Sequence, residues 1–494
     1  MEPGDHLFRH ESGRMVAALT RIFGVHNLAL AEDVVQDAFC RALEVWRIRG
    51  VPENPSAWLM ATAKNCALDV MRRQRTARTF APELGRFLQR EWTLVPIVEE
   101  LFTADAIKDD LLRMMFSCCD PRLPEQAQVA VVLHILCGFS VSEIASAFVS
   151  TRAAIEKRIT RAKKVLATSK RLFDVAAPEK FSARLPAVQR ALYLLFNEGY
   201  HGASAETAVR GELCVEAMRL TALLLEHPLG MMPATYALAA LMCLDAARLP
   251  ARVDAAGNLI SLLDQDRSQW DQMLIGEGLN FLELSATGIE LTQYHVEAAI
   301  ASVHACAPRT KDTDWETIIS LYDTLMALRP SPIVALNRAI AAARKAGPER
   351  GLEEIRSIAD CERLAAYPFY SAALGELELR RGRHEAARRH FGAALALARN
   401  PMERHFFDRR IVRANRAICR GPTTTSFGAV YSGLSECNRG RVSCLNFVAS
   451  FKGASRPVSA IRSPRCSVPG FWLSFFSVRG SRFWPSMNAV HVMP

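Results

Sequence analysis

The 494-residue chain contains no run of eighteen apolar residues, which excludes a conventional membrane-spanning helix. Its start, Met1-Glu2-Pro3-Gly4-Asp5-His6, lacks both a basic stretch and an apolar one, so a cytoplasmic product with no membrane partner is expected. Thirteen cysteines are scattered without a C-x-x-C pair or a regular framework, and reduced thiols in a cytosolic core are the plain expectation. No G-x-x-x-x-G-K, G-x-S-x-G or H-E-x-x-H occurs, so neither a phosphate cradle, an elbow nucleophile nor a zinc-protease helix is indicated, and no cofactor is expected. What remains is half apolar and 23% charged, the composition of a folded protein long enough for two or three cores.

The net charge of +10 is confined to one end of the chain. Residues 411–494 hold eleven Lys/Arg and one acid, Glu436, which leaves fifty charges of each sign in residues 1–410. Partners must therefore be sought in local clusters. One comprises Arg72, Arg73, Arg75, Arg78, Arg86 and Arg90; the other comprises Arg152, Lys157, Arg158, Arg161, Lys163, Lys164, Lys170 and Arg171.

Apolar residues recur at helical spacing over 10–76, and Ser56 is the expected cap of a helix that follows Pro52 and Pro55. Residues 79–120, with Glu99, Glu100, Asp105, Asp109 and Asp110, read as a linker. Between Pro124 and Ala167 the pattern predicts an apolar helix, the turn Gly138-Phe139-Ser140, a short helix from Val141 and a basic helix from Arg152, which is a helix-turn-helix arrangement. Residues 180–410 are helical nearly throughout, with no alternating strand-like run, and Tyr367 to Leu397 carry the small/large spacing of a tetratricopeptide helix pair. The segment from 411 onward has thirteen serines and no helical periodicity, and is expected to be disordered or non-homologous. The expected fold class is all-α.

In the basic helix, Thr151, Arg152, Ala153 and Ala154 would face base edges in a major groove, while Lys157, Arg158, Arg161 and Lys164 reach phosphates. The competing description is a solvated helix face, which the preceding scaffold pattern disfavours. On the earlier helix, Trp58, Lys64, Asn65, Asp69, Arg72 and Arg73 make a polar face with one aromatic, suited to melted single strands. Alternatively Trp58 is core and Asp69 pairs with a neighbouring Arg. In the long helical body Glu198, His201, Asp266, Arg267, Asp271, Asp314 and Asp323 are titratable or charged, yet nothing in the sequence brings them together. Asp266 and Asp314 are expected to be helix caps, and Trp270 and Trp315 core, so no enzyme is expected.

Ala31-Glu-Asp-Val-Val-Gln-Asp-Ala-Phe, followed by Pro55-Ser-Ala-Trp-Leu-Met-Ala-Thr-Ala-Lys-Asn-Cys-Ala-Leu-Asp-Val-Met-Arg-Arg, resembles region 2 of extracytoplasmic-function sigma factors. Gly138-Phe-Ser-Val-Ser-Glu-Ile-Ala with Arg158-Ile-Thr-Arg-Ala-Lys is similar to their region 4. Leu195-Phe-Asn-Glu-Gly-Tyr, Gln265-Asp-Arg-Ser-Gln-Trp-Asp, Leu321-Tyr-Asp and Pro330-Ser-Pro-Ile-Val-Ala-Leu-Asn-Arg-Ala resemble the subgroup with a long tetratricopeptide-like C-terminal extension. The resemblance covers roughly residues 8–410. It implies region 2 at 8–78, region 4 at 121–172 and the extension at 180–410. It further implies that Glu32, Asp33, Gln36, Asp37 and Phe39 dock on core RNA polymerase, with Phe39 as apolar anchor. Trp58, Lys64, Asn65, Asp69, Arg72 and Arg73 would lie at the −10 element of promoter DNA. Thr151, Arg152, Ala154, Lys157, Arg158, Arg161 and Lys164 would lie at the −35 element. The function implied is promoter-directed initiation. The size of the extension and the lack of a membrane span lead to the expectation that it modulates initiation, and stacked helix pairs would offer a surface to a protein regulator.

Two departures stand out. Asp120 follows Cys118-Cys119 where close relatives are expected to carry histidine, and adjacent cysteines lack the spacing for one zinc ion, so buried thiols and no metal are expected. Ile155-Glu156-Lys157 is untypical and leaves the −35 sequence open. The alternative class is a helical-repeat scaffold or a DNA-binding regulator that does not act as a sigma factor.

Overall fold

Helical periodicity over most of the chain is realised as helix after helix. The computed structural model describes residues 11–20, 25–76, 110–148, 150–168, 178–202, 207–287 and 289–420. Among these residues the only β-type pairing is one isolated bridge, Val253 to Leu259, so the all-α expectation holds. The described residues divide into two compact units, the first running to Gly202 and including His227–Met231, the second formed by 207–226 and the described residues from Met232 to Arg420.

The first unit starts with α1 (residues 11–20), α2 (Leu28–Arg49) and α3 (Pro55–Thr76). In α2, Ala31, Val34, Val35, Ala38, Phe39 and Ala42 form one buried stripe, and α3 answers with Leu59, Ala63, Cys66 and Ala67. The cap of α3 is Asn54 rather than Ser56: its Oδ1 accepts the Ala57 amide at 3.0 Å, and Pro55 takes the first helical position, where its missing N–H costs nothing.

Next come α4 (Asp110–Cys118), α5 (Glu125–Ile135), α6 (Val141–Ala147), α7 (Arg152–Leu166) and α8 (Pro178–His201). Two expected boundaries move here. Helix α4, expected as linker, buries Leu111, Leu112, Met114, Met115 and Phe116 and packs on α5 and α8. Helix α8, expected to open the extension, belongs to the first unit: Phe181 stacks on Phe116 with centroids 4.5 Å apart and on His227 at 4.7 Å. Arg184 adds a charge-assisted bond from Nη1 to the Phe116 carbonyl at 2.7 Å, satisfying an orphan acceptor at the end of α4.

The second unit comprises α9 (Gly211–Glu226), α10 (Pro233–Ala246), α11 (Leu249–Arg252), α12 (Gln272–Ser285), α13 (Gln293–Cys306), α14 (Trp315–Leu328), α15 (Pro332–Ala346), α16 (Pro348–Arg356), α17 (Pro368–Arg380), α18 (His384–Ala396) and α19 (Pro401–Arg420). From α12 onward each helix packs on the next, the order expected of stacked helical hairpins. In the α17/α18 pair, Gly375 lies under the Phe391 ring so closely that a Cβ would stand 2.8 Å from it, which is why small faces large there. Helix α19 runs to Arg420, past the boundary expected at 411, because Ala414 is buried against the Ala387 and Phe391 cluster. It also reaches back along the unit: Arg410 pairs with Glu376 of α17 at 3.1 Å and with Asp264 at 2.6 Å, and the Met402 sulfur meets the Thr207 hydroxyl near the unit's beginning at 3.0 Å. The expected linker residues 79–109 and the tail from 421 lie outside the described residues.

A buried imidazole makes this second unit acid-sensitive. His304 is buried beside the Arg248 and Arg267 guanidiniums, and burial, reinforced by those two positive charges, pushes its pKa down to about 3. The imidazole is thus neutral in the folded protein, whereas the unfolded chain binds the proton near pH 6.5. Stability is therefore complete above pH 6.5 and falls as pH drops toward 3, by about 1.4 kcal/mol per pH unit in mid-window. In urea unfolding between pH 7 and 4.5, the midpoint of the second unit is expected to fall, and His304→Gln to reduce that slope, leaving the part due to His295, whose pKa burial also lowers.

Candidate nucleic-acid interface

The turn into the basic helix is built from local rules. Gly138 adopts φ 67°, which ends α5 without strain, and the next residue, Phe139, drops into the core. Ser140 then caps α6: its Oγ accepts the Glu143 amide at 3.2 Å, while the Glu143 carboxylate accepts the Ser140 amide at 2.7 Å. Thr151 caps α7 through the Ala154 amide at 3.3 Å. Helix α7 buries Ile155, Ile159, Ala162 and Leu166, so its opposite stripe, Ala153, Lys157, Thr160, Arg161 and Lys164, is exposed. Ala154 and Arg158 sit partly buried on one flank. Arg152 sits on the other and is held by Glu156, one turn on, at 2.9 Å. Lys163 shares that second flank and points away from the exposed stripe, its Nζ 2.8 Å from the Glu32 carboxylate of α2.

On α3, Trp58, Asn65 and Asp69 recur at seven and four residues and share one stripe; Asn65 and Asp69 are exposed. Trp58 is half-buried against Trp46, centroids 5.4 Å apart, so it serves packing as well as the surface. Lys64 lies off this stripe, and burial lowers the basicity of its amine. Arg72 and Arg73 belong to the helix, but their side chains lie outside the described residues.

On α2, Asp33, Gln36 and Asp37 are exposed together and Glu32 is half-buried at their edge. Phe39 is not with them. It is 8% exposed, its ring turned into the core with Val35 and Ala42, because steps of 100° place position 39 on the apolar stripe. The apolar side chain that does flank Gln36 on the surface is Leu43, 67% exposed, which sequence reading missed. The spacing of seven from Gln36 was the available signal.

Cys118 and Cys119 are fully buried, and burial pushes the Cys118 thiol up to about 12 and the Cys119 thiol well above its ordinary value. Asp120 accepts two bonds from the Arg122 guanidinium, at 3.0 and 2.8 Å, and one from its amide at 2.9 Å, which together hold the carboxyl below its usual range. Among the described residues no three metal-ligating side chains come together.

The motifs of the second unit are structural. Asp266 accepts the Ser268 amide at 3.0 Å, Asp271 those of Met273 and Leu274, and Asp314 that of Thr317, each a helix cap. Arg267 and Arg248 both lie over the Trp270 ring, at 5.0 and 5.3 Å from its centre. Arg338 ties three helices, reaching Asp323 on α14 and Glu354 on α16 from α15.

Comparison with known proteins agrees with this geometry. Models of Sigma-70 region 2 and Sigma-70 region 4 match residues 7–77 and 113–166, and a family of unknown function, DUF6596, matches residues 184–286. An uncharacterized protein of Rhizobium meliloti is 39% identical over 391 residues, covering 78% of this chain and 90% of that one. The extracytoplasmic-function RNA polymerase sigma factor SigX of Bacillus subtilis is 25% identical over 137 residues, 27% of this chain and 68% of its own. No solved structure matches. The region 2 and region 4 matches, over the two helical parts of the first unit, define a DNA-binding transcription initiation factor. The chain belongs to the sigma-70 family, as an extracytoplasmic-function type with a C-terminal extension. Membership implies binding to core RNA polymerase and promoter DNA, and the family is one of non-enzymatic transcription initiation factors. No described helix is long and apolar enough to cross a membrane.

Proposed function

We propose that the exposed stripe of α7 reads the −35 element, that the Trp58, Asn65 and Asp69 stripe of α3 with Arg72 and Arg73 engages the −10 element, and that Asp33, Gln36, Asp37 and Leu43 with Glu32 dock on core polymerase. Lys157, Arg161 and Lys164 meet phosphates; Thr151, Arg152 and Ala154 stand at the helix start nearest the bases, and Arg158 supports from the flank. The carrying observation is the α7 stripe itself, three cations on the face opposite the four buried residues of a properly capped helix-turn-helix. The protein works in the cytoplasm.

The second unit, with its tetratricopeptide-like α17/α18 pair, modulates initiation and offers a regulator its surface. Its size and its purely structural motifs support a binding role. Run-off transcription with purified core polymerase and a genomic promoter library tests the whole: discrete start sites dependent on the protein are expected, and none would defeat the assignment. A chain ending at Met231, which keeps every residue of the first unit, is expected to alter the output at those starts; unchanged output would remove the modulatory role.

A further inference from the structure

We infer that α17, α18 and α19 present a further cationic surface, which holds promoter DNA by its phosphates outside the −10 and −35 elements. The inference rests on the family's binding of promoter DNA and goes beyond the roles proposed for α3 and α7. Charge is divided unevenly along the second unit. Residues 207–366 hold fourteen Lys/Arg against twenty-one acids, whereas residues 367–420 hold twelve arginines, no lysine and five acids. Exposed cations of the earlier stretch such as Arg309, Lys345 and Arg350 stand beside carboxylates, 2.7 Å from Asp312, 3.0 Å from Glu316 and 3.1 Å from Glu354. The last helices leave theirs open. Arg388 and Arg389 of α18 and Arg404, Arg413 and Arg416 of α19 are exposed, and none has an ion-pair partner among the described residues. The exposed acids on the same two helices are Glu385 and Asp408, and Asp264, within electrostatic reach of Arg413, is already taken by Arg410 at 2.6 Å.

The packing gathers four of these arginines. Ala387 of α18 and Ala414 of α19 share one buried cluster with Phe391, and Ala394 shares another with Phe407. The two helices are therefore antiparallel, and Arg388 and Arg389 lie at the level of Arg413 and Arg416. The same end of the layer carries Arg381, paired with Glu378 and Glu349, and Arg383, 4.0 Å from Glu378. Folding does not account for the four. They are exposed, so the core does not need them, and Arg388 and Arg389 stand in the N-terminal half of α18, where the helix dipole offers a cation no gain. Their mutual repulsion works against the compact state. A guanidinium fork matches a phosphate and releases counterions as it binds, which offsets that repulsion. An acidic protein fits this surface less well, because protein interfaces are anchored by buried apolar side chains. Among the described residues from 367 to 416, the one large apolar side chain left exposed is Val412.

Holoenzyme assembled from the full chain and purified core polymerase tests this on two duplexes carrying one promoter. The short duplex spans only the two elements, and the long one extends about 30 base pairs further on each side, roughly three helical turns. Arg388→Gln, Arg389→Gln, Arg413→Gln and Arg416→Gln together are expected to weaken binding to the long duplex on the order of tenfold at about 0.15 M salt, and to leave binding to the short one unchanged. The slope of log affinity against log salt on the long duplex should become shallower by about 3. Lys157→Glu with Arg161→Glu serves as control and is expected to weaken both duplexes alike. If the fourfold variant keeps the affinity and slope of the natural chain on the long duplex, the surface is overturned, and the α7 reading stands or falls by its own control. If the control changes neither duplex, the α7 reading fails, while a loss confined to the long duplex in the fourfold variant still upholds the surface. Weaker binding of that variant to core polymerase without DNA, or a changed oligomeric state, would give these arginines to a protein surface and overturn the inference as well.

Discussion

Lys157→Glu combined with Arg161→Glu lowers run-off transcription from a −35-dependent promoter on the order of 100-fold at about 0.15 M salt, with no change in the unfolding midpoint. Both side chains are exposed on the face of α7 opposite Ile155, Ile159, Ala162 and Leu166, so neither contributes to packing. Each cation lost forfeits the release of about one counterion, and each carboxylate gained repels the phosphate it replaces. The slope of log affinity against log salt should accordingly become shallower by about 2. Arg152→Glu alone is expected to do less to that slope, because its guanidinium is already engaged by Glu156. Equal transcription and an equal slope in the double variant would mean that another surface carries the −35 contact.

The helix-turn-helix was legible because its signals are local: a glycine that permits φ 67°, a Ser140-x-x-Glu143 capping box, and buried positions at 155, 159, 162 and 166. The caps at Asp266, Asp271 and Asp314 obey the same short-range rules. Phe39 was misplaced because its apolar character suggested a docking anchor, although its position on the helix put it beside Val35 and Ala42. Helix α4 was hidden by the acidic stretch before it, and the extent of the first unit by the fact that the Phe116, Phe181 and His227 stack joins residues far apart in sequence. Lys163 could not be separated from Lys164 by composition; only the direction of a neighbouring element decides which of two adjacent lysines meets a carboxylate.

Arg267 shows the same limit with a larger energetic consequence, and Arg267→Ala is expected to destabilise the second unit by about 3–5 kcal/mol, read as a lower urea midpoint. The side chain is 8% exposed, yet it has no carboxylate bonded to it. Its Nη1 donates to the carbonyls of His304 and Ala307 at 2.9 and 2.6 Å, and its Nη2 to the Thr313 hydroxyl at 3.1 Å. Those carbonyls lie at the end of α13, where intrahelical donors run out and a positive charge also complements the helix dipole. Truncation removes the guanidinium donor from both carbonyls, leaving His304's with only the long bond from the Ala307 amide at 3.4 Å, and takes a cation from over the Trp270 ring. Arg267→Lys keeps the charge but not the fork, and should recover only part of the loss. Asp271→Ala, four residues on, removes an ordinary helix cap and should cost about 1 kcal/mol. Near-equal losses at the two positions would mean that the guanidinium is not what closes α13, and that the motif from Gln265 to Asp271 owes its pattern to a bound partner.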